Sequence, residues 1–198
     1  MAPIIGIIAS GNWAGANANS YQSIATVTVG SGGASSADFT SIPSTYTHLQ
    51  IRWIARGASS GSDQGTLAIR VGNGSVDTGT NYWFHDLNGN GASVAASNAG
   101  SAKSYATISY IPRDSYTAGM MACGVIDILD YANTNKNKTI RSLGGNDTNG
   151  TGTEKGTLAL ASGLWSSTSA IDTIKLSVSG FTQSFQQYTQ FALYGIKS

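Results

Sequence analysis

Alternation of apolar and polar residues is the main pattern along the chain. In SIATVTV, for example, Ala25, Val27 and Val29 fall on one side of an extended backbone, and Thr26 and Thr28 fall on the other. Such alternation predicts strands with one buried face, and clusters of Gly, Asn, Ser or Pro separate the segments as turns do. The ten segments predicted as strands are 23–29, 47–56, 66–72, 81–87, 104–111, 121–131, 138–145, 156–165, 170–178 and 188–196.

The number of short strands predicts the fold class. No window of the sequence has the apolar stripe of a helix, and the only candidate is a single turn within SSADFTSIP, with Ser36 as the cap for Asp38. Many short strands joined by polar turns favour an all-β, two-sheet antiparallel sandwich that is jelly-roll-like. An immunoglobulin-type sandwich is the alternative, but its cysteine pair is missing and the strand count is high for it.

The opening stretch MAPIIGIIASG breaks the alternating pattern. It carries four isoleucines within five positions, and the small polar residues 11–20 that follow have the composition of a linker. The apolar run is too short for a membrane span, and no Lys or Arg precedes Arg52 as a secretory signal would require. We therefore expect an extended arm and linker over 1–20, retained on the mature protein, before a sandwich domain over 21–198.

An exposed apolar arm needs something that covers it. Pro3 and Gly6 argue against a long helix, so the arm is expected to be extended or kinked. It can fold back on its own sandwich, enter a groove or sheet edge of another chain, or bundle with two other arms around a threefold axis. The residues expected to anchor it to a partner are Pro3, Ile4, Ile5, Ile7 and Ile8.

Composition narrows the choice of partners. Charged residues make up 11% of the chain, against about 25% in an average globular protein. The net charge is +1 and no basic run occurs, so neither nucleic acid nor an anionic membrane is expected as a partner. The lone Cys123 cannot form an intramolecular disulfide, and its apolar neighbours predict a buried, unreactive side chain.

Residues able to carry chemistry do not form a known catalytic or metal-binding pattern. The sequence has no GxSxG elbow, and Asp-Thr-Gly at 77–79 is better explained as a turn opened by Asp77 and closed by Gly79 than as half of an aspartic protease site. Neither Ca²⁺ nor Zn²⁺ ligand spacing is present. Alternation places Asp127 on the same face as Val125 and Leu129; if that face is the core, Asp127 needs a partner, and Arg141 on the following strand is the natural one. We therefore expect no catalytic, cofactor-binding or metal-binding residues.

Aromatic residues provide the candidate ligand contacts. Trp53 alternates with core residues, whereas Trp83 and Trp165 fall at strand or loop edges, where an indole can stack on the face of a sugar. Structural packing is the simpler interpretation of both, and His85 is by itself an ordinary polar residue of a strand surface. The candidate glycan contacts are Trp83, His85 and Trp165.

Six segments spread over the chain carry a family resemblance. They are PIIGIIAS, YQSIATVTVGSGG, IPSTYTHLQIR, IDILDYANTNKNKTIRSL, SGLW and FALYGIK. Together they resemble a family of tailed-bacteriophage virion proteins that is frequent in marine and cyanobacterial phages. In the wider group, similar openings precede different C-terminal domains, which implies a shared docking tip carrying exchangeable surface modules. The chain departs from the commoner form at TNGTGTEKGTLAL, which is longer than the usual loop.

The resemblance implies a non-enzymatic structural protein on the surface of the phage particle, with a β-sandwich fold and no cofactor. We expect a homotrimeric tail fibre or tail-tip component that docks to other virion proteins through its arm and presents the sandwich to the host surface and its glycans. A capsid decoration (cement) protein that stabilises the head is the first alternative, and a carbohydrate-binding module is the second. No nucleic-acid partner and no membrane insertion are expected.

Overall fold

The computed structural model of the chain describes residues 20–58, 64–147, 156–180 and 182–197. Over these ranges the backbone forms strands and turns without a helix, and so none of the described residues belongs to a helix able to cross a membrane. The strands are β1 Tyr21–Thr28, β2 Ala37–Phe39, β3 His48–Ala55, β4 Gly65–Asn73, β5 Ser75–Val76, β6 Tyr82–Gly89, β7 Val94–Asn98, β8 Ala106–Ile111, β9 Ala122–Ile128, β10 Lys138–Asn146, β11 Thr157–Trp165, β12 Thr173–Val178 and β13 Gln190–Ile196.

Two antiparallel sheets pack face to face. The large sheet has eight strands in the order β1-β13-β3-β9-β10-β11-β6-β7. In the small sheet β12 lies between β2 and β4, and both β8 and the short β5 pair along the other side of β4. Most of the connections between consecutive strands cross from one sheet to the other, as they do in jelly rolls. The predicted all-β, jelly-roll-like sandwich is confirmed.

Each of the ten segments predicted as strands contains a strand, and three strands were not predicted. The segment SSADFTSIP forms β2 and not the expected helical turn: Phe39 pairs with Ile174 of β12. The Ser36 hydroxyl does donate to the Asp38 carboxylate at 3.0 Å, but on an extended backbone. Of the other two, β5 has only two residues and pairs with the end of β4. The edge strand β7 has no buried residue.

The core lies between the sheets. Two glycines of the large sheet make room there for the indole of Trp53. Trp53 is buried, as its alternation predicts. A Cβ at Gly124 would lie 2.7 Å from the Trp53 ring, and one at Gly144 would lie 2.5 Å from it. The side-chain-free strip across β9 and β10 is therefore what lets the indole approach the sheet so closely.

The predicted arm lies outside the described residues, and with it the anchoring residues Pro3, Ile4, Ile5, Ile7 and Ile8. The described chain starts at Ser20, and β1 begins at Tyr21 on an edge of the large sheet. The side chain of Tyr21 is exposed, and the guanidinium of Arg52 lies 5.7 Å from the centre of its ring.

Candidate binding face on the large sheet

The large sheet turns one face to the core and the other, here called the outer face, away from it. Part of the outer face of β6, β7 and β9–β11 carries apolar side chains, where a face turned to solvent is ordinarily polar. They form an exposed cluster that we call the apolar outer patch. Its members with their exposed fractions are Leu87 (51%), Val94 (76%), Leu143 (53%), Leu158 (63%) and Leu160 (48%), together with half-buried Val125.

The strand register brings these residues into two adjacent cross-strand rows. In the first row Val125 of β9 pairs with Leu143, Leu143 with Leu160, and Leu160 with Leu87 of β6. Directly opposed side chains on one sheet face are close neighbours, so this row is a continuous apolar ridge. In the second row the order is Cys123, Gly145, Leu158, Gly89 and Val94.

Glycines in the second row create a depression beside the ridge. Gly145 and Gly89 carry no side chains and flank Leu158, and the open hollow that they help to line has a volume of about 850 Å³. The backbone itself demands glycine at one of them, because a Cβ at Gly145 would lie 2.4 Å from the Thr157 carbonyl oxygen. The hollow is therefore built into the strand pairing of β10 and β11.

Cys123 lines this hollow and is exposed. The prediction of a buried cysteine is wrong, because both faces of β9 carry apolar residues and alternation alone could not tell which face meets the core. Its neighbours at 122 and 124 point inward instead, and Ala122 is fully buried.

A polar row borders the apolar outer patch on its other side. Asp127 pairs across the strands with Arg141, Arg141 with Ser162, and Ser162 with His85. The Arg141 guanidinium lies 3.4 Å from the Asp127 carboxylate, which also accepts a 3.0 Å hydrogen bond from Gln50. The predicted ion pair is thus present, on the outer face. Its charges mark where the apolar surface ends.

Two of the three candidate glycan contacts share the outer face. Trp83 and His85 are two residues apart on β6, and both are exposed. Trp165 is different: it is 3% exposed, and its indole N–H donates to Asp77 at 2.8 Å. The expectation that Trp165 offers a ring face to a sugar is wrong, because the last residue of β11 alternates into the core.

The Asp-Thr-Gly stretch forms the turn that the sequence predicts. The Asp77 carboxylate accepts hydrogen bonds from the Gly79 backbone N–H at 2.7 Å, from Asn81 at 2.8 Å and from Trp165. Burial raises the pKa of Asp77, but these three hydrogen bonds outweigh it, and the pKa is lowered from its ordinary value. Asp77 therefore holds together a turn and the end of β11 as a carboxylate.

The second histidine also has a structural environment. The backbone N–H of Asp130 donates to His48 Nδ1 at 3.0 Å, so this nitrogen acts as an acceptor. Lys136 donates to the Asp130 carboxylate, and that hydrogen bond is the main reason why the pKa of Asp130 is lowered. In the ranges that the structure describes, no three His, Cys, Asp or Glu side chains lie close enough together to hold a metal ion.

Sequence reasoning missed the apolar outer patch, although a signal for it was present. In TLALASGLW the leucines alternate with alanines and glycine, so both faces of the strand are apolar. Such a strand in a two-sheet sandwich has only one core to face, and the larger side chains at Leu158 and Leu160 are the exposed ones.

Comparisons with protein-family models, with curated proteins and with solved structures find no match to this chain.

Proposed function

We propose that the protein is a non-enzymatic structural protein on the surface of a tailed bacteriophage particle. In this proposal it is a homotrimeric tail fibre or tail-tip component. Residues 3–8 dock to other virion proteins, and the sandwich faces the host surface. The observation that carries the proposal is the joining of an Ile-rich arm, through a small polar linker, to a β-sandwich with few charges. The resemblance to phage virion proteins supports it.

Deleting the arm tests the docking role. Removal of residues 2–10 is expected to leave the sandwich folded but to keep the protein out of assembled particles, because the anchoring isoleucines are gone. Particles are purified and the protein is quantified by mass spectrometry, with circular dichroism of the isolated variant as the folding check. A matched control deletes residues 11–18 of the linker, which removes a similar length of chain without an isoleucine. Equal incorporation of both variants would contradict the proposal.

A capsid decoration protein uses the same arm on a different part of the particle. The two placements differ in where a label on the protein appears. Gold-labelled antibody against the sandwich is expected at the tail of intact particles, and labelling spread over the head would favour the decoration protein instead.

A carbohydrate-binding role is favoured by one feature, the exposed pair Trp83 and His85 on β6. An indole face that stacks on a sugar ring loses its contact when the ring is removed. Trp83→Ala is therefore expected to lower affinity for host-surface glycan about tenfold or more, since each 1.4 kcal/mol of lost binding free energy is a factor of ten. Binding is measured on a glycan array and by calorimetry.

The control for this variant is Tyr188→Ala, which removes another exposed aromatic ring, 74% exposed, from the loop before β13. β13 and β6 are separated by several strands of the same sheet, so this ring is far from Trp83. Two outcomes exclude the carbohydrate-binding role. In one, both variants bind glycan as tightly as the unmodified protein. In the other, the unmodified protein itself does not bind glycan.

A further inference from the structure

The apolar outer patch is a surface without a described partner, and its size indicates what kind of partner fits it. Its rows cross five strands, or about 19 Å, and lie two residues, or about 7 Å, apart. With the widths of the side chains included, the apolar area is on the order of 300 Å², well under the ~800 Å² that each partner contributes to a standard protein–protein interface. A short peptide segment matches this area better than another folded domain.

The polar border argues against a second copy of the sheet in the same place. A face-to-face dimer would bring Asp127, Arg141 and His85 against the partner sheet and remove their charges and polar groups from water. Desolvating such groups without new partners costs more than a small apolar contact returns. A narrow strand of apolar residues laid along the ridge leaves the border hydrated.

The chain itself contains a segment of this length and character. Residues 4–8, IIGII, are uncharged, and when extended they measure about 17 Å, close to the width of the patch. Isoleucine side chains fit the hollow where Gly145 and Gly89 have none. Covering isoleucine side chains against this surface removes apolar area from water and is therefore favourable.

The point where the described chain begins is within reach of the patch. Tyr21 pairs with Ile196 of β13, four strands from β10, and Leu143 lies about four residues further along the strand direction. The two positions are about 19 Å apart across the strands and about 14 Å apart along them, so the straight-line distance, the diagonal, is about 24 Å. The twelve residues 9–20 can span about 40 Å. A path over the outer face past Arg52, which pairs with Val125, is short enough.

From these observations we infer that residues 4–8 of the same chain lie on the apolar outer patch in the free protein. A linker of this length gives the arm an effective concentration in the millimolar range at its own patch, far above the micromolar concentration of separate molecules in dilute solution. Docking on its own sheet therefore prevails until the protein is packed among other chains. The inference holds whether or not the protein belongs to a phage particle.

Cys123 reports on this docking directly. It is the only cysteine of the chain and lines the hollow, so a docked arm shields its thiol from an alkylating reagent. The rate of alkylation by a maleimide is measured on the full chain and on the variant lacking residues 2–10, at one pH. If the docked population is about 90%, the deletion raises the rate about tenfold, because only the undocked state reacts.

Two further variants separate docking from a general change in the fold. Leu143→Asp places a charge on the ridge and is expected to raise the Cys123 rate in the full chain but not in the deletion variant. Ser10→Ala, next to the arm segment, is the matched control and leaves the full-chain rate unchanged. Thermal melting curves confirm that each variant is folded.

Three outcomes overturn the inference. The first is an equal Cys123 rate with and without residues 2–10. The second is an effect of Leu143→Asp that is the same in both backgrounds. The third is protection that grows as the protein is concentrated from about 1 to about 50 µM, because a segment docked on its own chain is independent of concentration. None of these depends on incorporation into particles, so the docking and the proposed function can fail separately.

Discussion

At the scale of single residues, buried cations hold the loops of this sandwich. The side chain of Lys138 is fully buried, and its ammonium donates to the backbone carbonyls of Asn133 at 2.6 Å, Lys136 at 2.9 Å and Thr168 at 3.0 Å. Arg56 acts similarly on the 114–120 loop, where its guanidinium donates to four carbonyls. Both side chains replace the regular hydrogen bonds that a loop lacks.

Replacing Lys138 tests this role. Lys138→Met keeps the length of the side chain but leaves three carbonyls without their donor, and we expect it to lower the free energy of unfolding by about 2–4 kcal/mol. Lys136→Met is the control, because the Lys136 side chain is 54% exposed and its ion pair with Asp130 is a surface pair, which contributes little to stability. Urea unfolding measures both variants. A loss below 1 kcal/mol for Lys138→Met would contradict the structural role of the ammonium.

Residue-level prediction from the sequence succeeded where the signal was local. The turn at Asp77 depends on a side chain bonding two residues on, and the Asp127–Arg141 pair depends on neighbouring strands, so both could be predicted. In the segment 47–56 the alternation that places Gln50 and Arg52 on the outer face predicts the same for Arg56, but Arg56 is buried, because the chain leaves the strand pattern after Ala55. The position of the second sheet decides which side of a strand faces the core, and the pattern of that strand alone does not record this position.

At the scale of elements, the sandwich depends on close packing between an indole and glycine-containing strands. Gly144→Ala would place a Cβ 2.5 Å from the Trp53 ring and 2.8 Å from the Ser109 hydroxyl, contacts that force the ring or the strand to move. We expect a loss of about 1–3 kcal/mol in the free energy of unfolding, the usual effect of an overpacked core. Thermal or urea unfolding measures it.

The control at this scale is Gly32→Ala. A Cβ at Gly32 meets nothing within 4 Å, and its backbone does not require glycine. This variant is expected to change stability by less than about 0.5 kcal/mol. If Gly144→Ala were no more destabilising than Gly32→Ala, the packing of Trp53 would not depend on the glycine strip.

Elements with a buried face could be predicted, and elements without one could not. The seven or more residues of strands such as β3 and β10 record the alternation clearly. By contrast β7 is exposed at every position, and the three residues of β2 are too few to show a period. Both owe their conformation to hydrogen bonding with a neighbouring strand, and the sequence of a strand does not record which neighbour it will have.

At the scale of the whole molecule, two apolar surfaces stand out. One is the Ile-rich arm, which composition identifies, and the other is the apolar outer patch, whose position and extent are set by the strand register. The candidate site was therefore half predictable: the segment could be identified from composition, but the patch required the strand register. In a dense assembly, neighbouring patches reach concentrations comparable to that of a chain's own patch, so an arm can exchange from its own sheet to a partner protein.

The central claim is that the arm anchors the protein in a particle, and direct competition tests it best. Full-length protein and the variant lacking residues 2–10 are supplied together in equal amounts during assembly, and their ratio in purified particles is measured by mass spectrometry. The account predicts that the full-length form exceeds the variant by about tenfold or more, the ratio that corresponds to 1.4 kcal/mol of lost docking free energy. Equal amounts of the two forms in the particles would contradict it.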